Sequence, residues 1–413
     1  MDRPTEKGII VAVQTTETDE NFNYSLEELR QLVVNTGVEV VGEVTQKREV
    51  VDNRTFIGKG KVQELKHLVD ELDVSVVIFN QELSPSQVRN IQEEIDVKVI
   101  DRIQVILDIF SLRATSKEGS LQVQLAQLNY LLPRLVGHGI NMSRLGGGIG
   151  TRGPGETKLE TDRRHINRQI NEIKKELRKV EGQRHRRRER RQRSNLFRIG
   201  LIGYTNAGKS TVLNALTDSD TYEKDELFAT LDPITRKLEL GSGLQVTLTD
   251  TVGFIQDLPT DLIEAFQSTL EETKDVDLLL HVVDASSPNI DSQENTVLDL
   301  MNDLDMDNIP MLTVYNKKDL VTGEFYPTLF PNIIISAINE EDQERLREKI
   351  EDTIRDLLEK YQVTIPANRG DVLAHLKSET IITDQSYDDE SEKYIVSGLA
   401  KDVASLDYLF NDL

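Results

Sequence analysis

Gly203-Tyr204-Thr205-Asn206-Ala207-Gly208-Lys209-Ser210 has the form G-x-x-x-x-G-K-S, and it decides the fold of the chain around it. A strand signal, Phe197–Ile202, runs into it, and a helical start, Ser210–Leu216, leaves it. That strand–loop–helix context is what a phosphate-binding loop requires. Its glycines let backbone amides curl around phosphates. Lys209 brings a point charge to the outer phosphates, and the Ser210 hydroxyl binds Mg²⁺. Gly203 through Ser210, with Thr211 behind them, are therefore candidate nucleotide-binding residues.

Three shorter patterns follow in order, each after a strand signal. Val246–Leu248 leads into Asp250-Thr251-Val252-Gly253. An acid at that strand end can hold Mg²⁺ through water, and the Gly253 amide can then meet a γ-phosphate. Met311–Tyr315 leads into Asn316-Lys317-Lys318-Asp319. The Asp319 carboxylate can accept both guanine donors, the ring N–H and the exocyclic amine. Adenine presents an acceptor and no donor there, which would leave the carboxylate unpaired. Ile333–Ile335 precedes Ser336-Ala337, which can contact the base edge through backbone groups. Each pattern is weak alone. Four in order imply GTP and GDP as ligands of an α/β P-loop domain, with hydrolysis as the reaction.

Outward from this domain the chain changes character twice. The first ~110 residues alternate strand signals (Ile9–Val13, Val38–Val44, Val74–Phe79, Val97–Ile100) with helical ones (Leu26–Val33, Val62–Leu72, Ser84–Ile95), which implies a mainly parallel sheet. Gly58-Lys59-Gly60-Lys61 precedes a helix there. It is too short for a phosphate fingerprint and reads as a turn with exposed lysines. Next, Leu121, Leu125, Leu128, Leu132 and Leu135 keep heptad spacing, as do Leu159, Ile166, Ile170, Ile173, Leu177 and Val180 around one missing position. Between them lies Gly137–Thr157, a glycine-rich stretch that is expected not to be helical. The pattern predicts an antiparallel helical hairpin held by its leucines, with a glycine-rich tip. The expected division is 1–112, an N-terminal α/β domain; 113–197, the hairpin; 198–364, the P-loop GTPase domain; and 365–413, a small acidic α+β domain.

Charge sharpens this division. The 413 residues hold 49 Lys and Arg against 72 Asp and Glu, a net of −23, which taken whole argues against a polyanionic partner. From Arg113 to Arg198, however, 21 basic residues face 8 acidic ones, a net of +13, and the rest carries −36. The second hairpin helix runs into Arg184, Arg186, Arg187 and Arg188, and the tip bears Arg144 and Arg152. These six are candidate RNA-backbone contacts, with steep salt dependence expected. Few aromatics lie nearby (Tyr130, Phe197), so recognition of folded RNA by shape and phosphate is favoured over base stacking. The chain has no cysteine, which excludes disulfides and thiolate chemistry, and its six histidines show no metal-ligand spacing. It shows neither a signal-peptide pattern nor an apolar run long enough to span a bilayer, so membrane insertion is not expected.

The whole chain resembles the HflX family, in the Obg–HflX superfamily of GTPases. The resemblance rests on Gly146–Arg164 (GGGIGTRGPGETKLETDRR) directly before the GTPase segment, and on Leu227-Phe228-Ala229-Thr230-Leu231-Asp232-Pro233. It is weakest over the final ~45 residues. It implies a monomeric, cytoplasmic GTPase, with some membrane association, that binds the large ribosomal subunit and separates or recycles stalled or idle ribosomes. By the same resemblance Thr230 is the switch threonine that closes on Mg²⁺, beside Ser210 and Asp250, and Lys209, Thr230 and Gly253 carry catalysis. Phe254 stands where Ras-like enzymes place a water-orienting glutamine. Phenylalanine has no hydrogen-bonding side chain, so slow intrinsic turnover with stimulation by the ribosome is expected. Asn206 resembles the asparagine of GTPases that use K⁺ near the phosphates; the plainer reading is a turn residue. Two other functions stay open at this point: a signalling GTPase with a protein effector, and an RNA-remodelling protein with a second nucleotide site in its N-terminal domain.

Overall fold

The computed structural model describes residues 6–135, 154–192, 196–217, 228, 233–250, 253–255, 274–389 and 391–404. For 154–159, 181 and 183–192 it describes the backbone alone. The chain forms two compact units. The first is built from Met1–Val180 and includes Phe228; the other described residues from Glu181 onward form the second.

In the first unit, β1 (Lys7–Gln14), β2 (Glu39–Lys47), β3 (Val76–Phe79) and β4 (Lys98–Asp101) form a parallel sheet in the order β2-β1-β3-β4. The connecting helices are α1 (Asp19–Asn35), α2 (Lys59–Leu72) and α3 (Pro85–Ile95). Every strand and helix expected here is present within a few residues. β1 and β3 read as unbroken apolar runs because helices cover a parallel sheet on both faces. Ser84 and Gln87 form a reciprocal capping box, with Pro85 in the first turn, so the Ser-Pro signal starts α3 as expected. Gly58 is the N-cap of α2, and its amide donates to Gln46 Oε1 at 2.9 Å.

α4 (Arg102–Arg113) and α5 (Lys117–Arg134) follow, then α6 (Pro154–Gln192), which takes in Pro154–Thr157 against expectation, because proline is well suited to the first turn of a helix. The leucine seam departs from expectation. Leu121, Leu125, Leu128 and Leu132 of α5 are only half-buried, whereas Gln122, Val123 and Ala126 are buried. The heptad spacing is real, but the face of α5 turned inward is the one beside it, and α5 packs against α4 and α3. On α6 the expected Ile166, Ile170 and Ile173 are buried. Lys117 at the start of α5 pairs with Glu176 of α6 at 3.3 Å, a register that antiparallel helices give.

The far end of α5 is anchored by Asp101, which is fully buried. Its carboxylate accepts from Tyr130 Oη at 2.7 Å and from Arg134 Nη2 at 3.1 Å. The Arg134 guanidinium also lies 3.4 Å from the centroid of the Tyr130 ring. Burial, reinforced by Asp101, pushes the Tyr130 phenol far above its ordinary value. Tyr130 and Arg134 are thus committed inside the protein. Phe197 is buried in the second unit's core.

In the second unit, β5 (Phe197–Gly203), β6 (Ile234–Glu239), β7 (Gln245–Asp250), β8 (Leu278–Asp284), β9 (Met311–Asn316) and β10 (Asn332–Ile334) lie in the order β10-β9-β8-β5-β7-β6. Only the β6–β7 pair is antiparallel. Its described helices are α7 (Lys209–Thr217), α8 (Ile290–Asp303) and α9 (Glu340–Leu357). The final strands β11 (Glu359–Pro366), β12 (Ile381–Asp388) and β13 (Lys393–Ala400) make an antiparallel sheet in the order β11-β13-β12, against α10 (Gly370–Glu379). This sheet begins earlier than the composition suggests: all of Glu359–Pro366 belongs to it, because Tyr361 and Ile365 alternate inward onto α10. It joins the six-stranded sheet's core through Ile381 and through a Lys401–Asp277 ion pair at 2.8 Å.

Candidate functional site

The phosphate loop sits at the C-terminal end of β5, where a parallel sheet offers its ligand crevice. Its backbone is wound tightly. Asn206 has φ +61°, a left-handed conformation that asparagine tolerates. Gly208 has φ +93°, and a Cβ there would sit 2.3 Å from Asn316 Nδ2, so only glycine fits. Lys209 is buried, and its Nζ donates to the carbonyls of Gly203 at 3.1 Å and Tyr204 at 2.9 Å. Burial lowers its pKa to about 8, with Asp250 pulling the other way. The ammonium thus spans the loop it would leave to meet phosphate oxygens. Thr211 follows in the first turn of α7, half-buried.

Ser210 Oγ donates to Asp250 Oδ2 at 2.8 Å, which brings the two expected Mg²⁺ residues together. After β7 the chain returns to the phosphate loop. Thr205 N donates to Phe254 O at 2.7 Å, and Phe254 N to Gly203 O at 3.1 Å. Gly253 lies so close that a Cβ would approach Lys209 Nζ at 3.0 Å and Thr205 Cγ2 at 2.9 Å. The Phe254 side chain is buried. Its backbone clasps the loop, and its ring presents no polar group to a water.

The base-side residues converge through one side chain. Asn316 Nδ2 donates to Ala207 O at 3.0 Å, and its Oδ1 accepts from Ala337 N at 2.9 Å. A single buried amide therefore ties the phosphate loop to the Ser336-Ala337 turn. Lys317 has φ +62° and pairs with Asp284 at 2.8 Å. Asp319 Oδ1 accepts from Ser336 Oγ at 2.5 Å, and Ser336 N donates to Asp342 Oδ2 at 2.9 Å. The bracing role of Asn316 is a residue function that motif matching does not supply. Neither is that of Asp342, the N3 residue of α9.

Thr230, Thr251 and Val252 lie outside the described residues, as do Arg144 and Arg152. The side chains of Arg184, Arg186, Arg187 and Arg188 do too, although their backbone lies in α6. Of the Leu227–Pro233 stretch, Phe228 is described as a buried side chain of the first unit. Its ring meets that of Phe110 edge to face at 4.7 Å. The sequence reading counted, but did not single out as contacts, seven further cations on α6: Arg163, Arg164, Arg168, Lys174, Lys175, Arg178 and Lys179. All seven are exposed along the helix, while Ile166, Ile170 and Ile173 between them are buried.

Comparison with known proteins gives three adjoining family matches. Residues 23–111 match the family described as GTP-binding GTPase N-terminal. Residues 113–191 match GTP-binding GTPase Middle Region, and 198–317 match 50S ribosome-binding GTPase. A GTPase HflX from Alkalihalophilus pseudofirmus is 52% identical over 98% of this chain and 96% of its own length. One from Caldanaerobacter subterraneus subsp. tengcongensis is 48% identical over 94% and 90%. One from Escherichia coli is 42% identical over 78% and 75%. Among the described residues, no helix is long and apolar enough to cross a membrane.

Proposed function

The chain belongs to the HflX family of GTPases, and from that premise we propose that it binds the large ribosomal subunit and uses GTP binding and hydrolysis to separate or recycle stalled or idle ribosomes. The observation that carries the ribosomal part is the exposed cationic face of α6, from Arg163 to Lys179, on a chain whose next segment matches a 50S ribosome-binding GTPase family. Such a face binds RNA phosphates through released counterions, without reading bases. In this reading the protein works as a cytoplasmic monomer of four parts, and Arg144, Arg152, Arg184, Arg186, Arg187 and Arg188 are further candidate contacts for RNA phosphates.

The phosphate-loop amides from Gly203 to Thr211 hold the phosphates of GTP, and Lys209 exchanges its carbonyl partners for phosphate oxygens. Asp319, Ser336 and Ala337 read the guanine, and Lys317 lies along it. The paired oxygens of Ser210 and Asp250 fit a hard cation. They would hold Mg²⁺ with Thr230, and the ion would neutralise charge on the β- and γ-phosphates. The Gly253 amide meets the γ-phosphate, and Thr251 and Val252 count with it among the nucleotide-binding residues. GTP orders these switch segments and so sets ribosome affinity; hydrolysis releases them. Phe254 contributes no water-orienting group, so the ribosome supplies the stimulation.

The test is a sucrose-gradient profile of ribosomes incubated with the protein and GTP, beside co-sedimentation with a GTP analogue at several salt concentrations. Subunit release and steeply salt-dependent binding are expected. Absence of co-sedimentation would favour a protein effector instead.

A further inference from the structure

The parallel sheet of the first unit has a crevice of its own. The sheet order β2-β1-β3-β4 means that the connections after β1 and β3 leave in opposite directions. Between the C-terminal ends of these two strands lies the kind of switch point where open α/β sheets bind ligands. A cleft of about 570 Å³ occupies it.

The cleft is built, not incidental. Gln81 bridges the two strand ends, accepting from Val13 N at 3.3 Å and donating to Val13 O at 2.7 Å. Asn80, itself buried, donates to Ser25 Oγ at 2.8 Å and accepts from Arg102 Nη1 at 3.2 Å. Arg102 also donates to buried Glu28. One wall comes from the loop before α2. There Asp52 and Phe56 exchange two backbone hydrogen bonds of 2.9 Å, holding Phe56 at φ +64°. A bulky residue kept in the left-handed region by its surroundings is typical of ligand clamps. The Phe56 ring is fixed edge-on to Phe79 at 6.2 Å.

Charge selects the ligand. Among the described residues lining the cleft, Arg102 is the one cation, and its guanidinium is committed to Glu28 and Asn80. The lining carries two further carboxylates, half-buried Glu17 and exposed Glu82. Glu17 is held in place by Thr15, whose amide and hydroxyl donate to Oε2 at 3.0 and 2.9 Å. Lys47, beyond the lining, pairs with Asp19. Residues 1–112 together hold 12 Lys and Arg against 21 Asp and Glu, a net of −9. A polyphosphate would meet this field unfavourably. Phe22, Phe56 and Val51 supply an apolar wall.

We infer that this cleft binds a small organic cation, an aliphatic amine whose methylenes lie on Phe22, Phe56 and Val51 and whose ammonium groups face Glu17 and Glu82. The full chain, free of nucleotide and ribosomes, is titrated calorimetrically with spermidine. Saturable one-to-one binding is expected. The double variant Glu17→Gln/Glu82→Gln should bind at least tenfold more weakly. Glu71→Gln/Glu93→Gln removes the same charge from exposed positions outside the cleft and should bind within twofold of the parent. Val51→Arg, which places a cation in the wall, should abolish binding while leaving GTP hydrolysis unchanged. Absence of saturable binding overturns the inference. So do equal losses in the two double variants, or full retention in Val51→Arg, since either would mark diffuse attraction to an acidic surface.

Discussion

The Ser210 hydroxyl donates to Asp250 Oδ2 at 2.8 Å, joining the first turn of α7 to the end of β7 where Mg²⁺ is proposed to sit. Asp250 is fully buried, so water does not compete for its carboxylate. Replacing the carboxylate with an amide keeps the shape and removes the charge. Asp250→Asn should therefore raise the Mg²⁺ concentration for half-maximal GTP hydrolysis by roughly 10–100-fold. A Mg²⁺ titration of the rate checks this, and an unchanged midpoint would remove Asp250 from the metal site.

Asn316 makes a different kind of link. Its amide spans the carbonyl of Ala207 and the amide of Ala337, 109 and 21 residues away in sequence. Asn316→Ala would leave both buried partners unsatisfied, at about 1–3 kcal/mol each. Both ends of the nucleotide site should loosen together. The expected outcome is a loss of roughly 10–1,000-fold in affinity for GTP and for GDP alike, measured by fluorescent-nucleotide titration. A loss confined to GTP would show that the residue acts on the γ-phosphate instead.

Most of this site is legible in the sequence because its chemistry demands fixed residue types at fixed spacing. Gly208 could be nothing else with φ +93° and Asn316 Nδ2 alongside. The parallel sheets are legible for a similar reason, since β1, β3 and β8 are buried on both faces and are therefore largely apolar. What the pattern could not supply is direction in space. Heptad spacing places Leu121 to Leu135 along one stripe of α5 but does not say which neighbouring stripe meets α4. It is Gln122, Val123 and Ala126 that turn inward. The cleft between β1 and β3 was equally hidden, because Asn80, Arg102 and Glu28 carry no motif and meet only when the strands are ordered 2-1-3-4.

Asp319 decides the base. Its Oδ1 now accepts from Ser336 Oγ at 2.5 Å, and the guanine donors would compete for the same carboxylate. Asp319→Asn replaces one acceptor with a donor that faces the guanine N–H groups. Selectivity for GTP over ATP should fall by at least about 100-fold, as expected when a site built on a specific hydrogen bond loses it. Competition binding with both nucleotides measures the ratio, and retained selectivity would refute the role.

Asn206 poses a choice between a turn residue and a ligand for K⁺. Its φ of +61° satisfies the turn role by itself. If its side chain also holds a cation beside the phosphates, hydrolysis should be on the order of tenfold faster in KCl than in NaCl at equal ionic strength. Asn206→Gly keeps the backbone conformation and should lose that difference. Equal rates in the two salts would leave the turn role alone.

His281 lies in β8 between Ile202 of β5 and Thr313 of β9, almost wholly buried. Its Nδ1 has no hydrogen-bond partner among the described residues. Burial first, and the Lys209 charge second, lower its pKa to about 4. In the unfolded chain the same imidazole titrates near its ordinary value of about 6.5. The folded protein therefore binds fewer protons than the unfolded one between those values. The stabilisation is complete above pH 6.5 and is lost as the pH falls toward 4, to a limit of about 3 kcal/mol. His281→Leu has no proton to gain, so its stability should decline less over this range. Urea unfolding at pH 7, 6, 5 and 4.5 measures the two slopes. Parallel slopes would show that the acid sensitivity arises elsewhere, and a steeper one in the variant would mean that His281 is paired in solution.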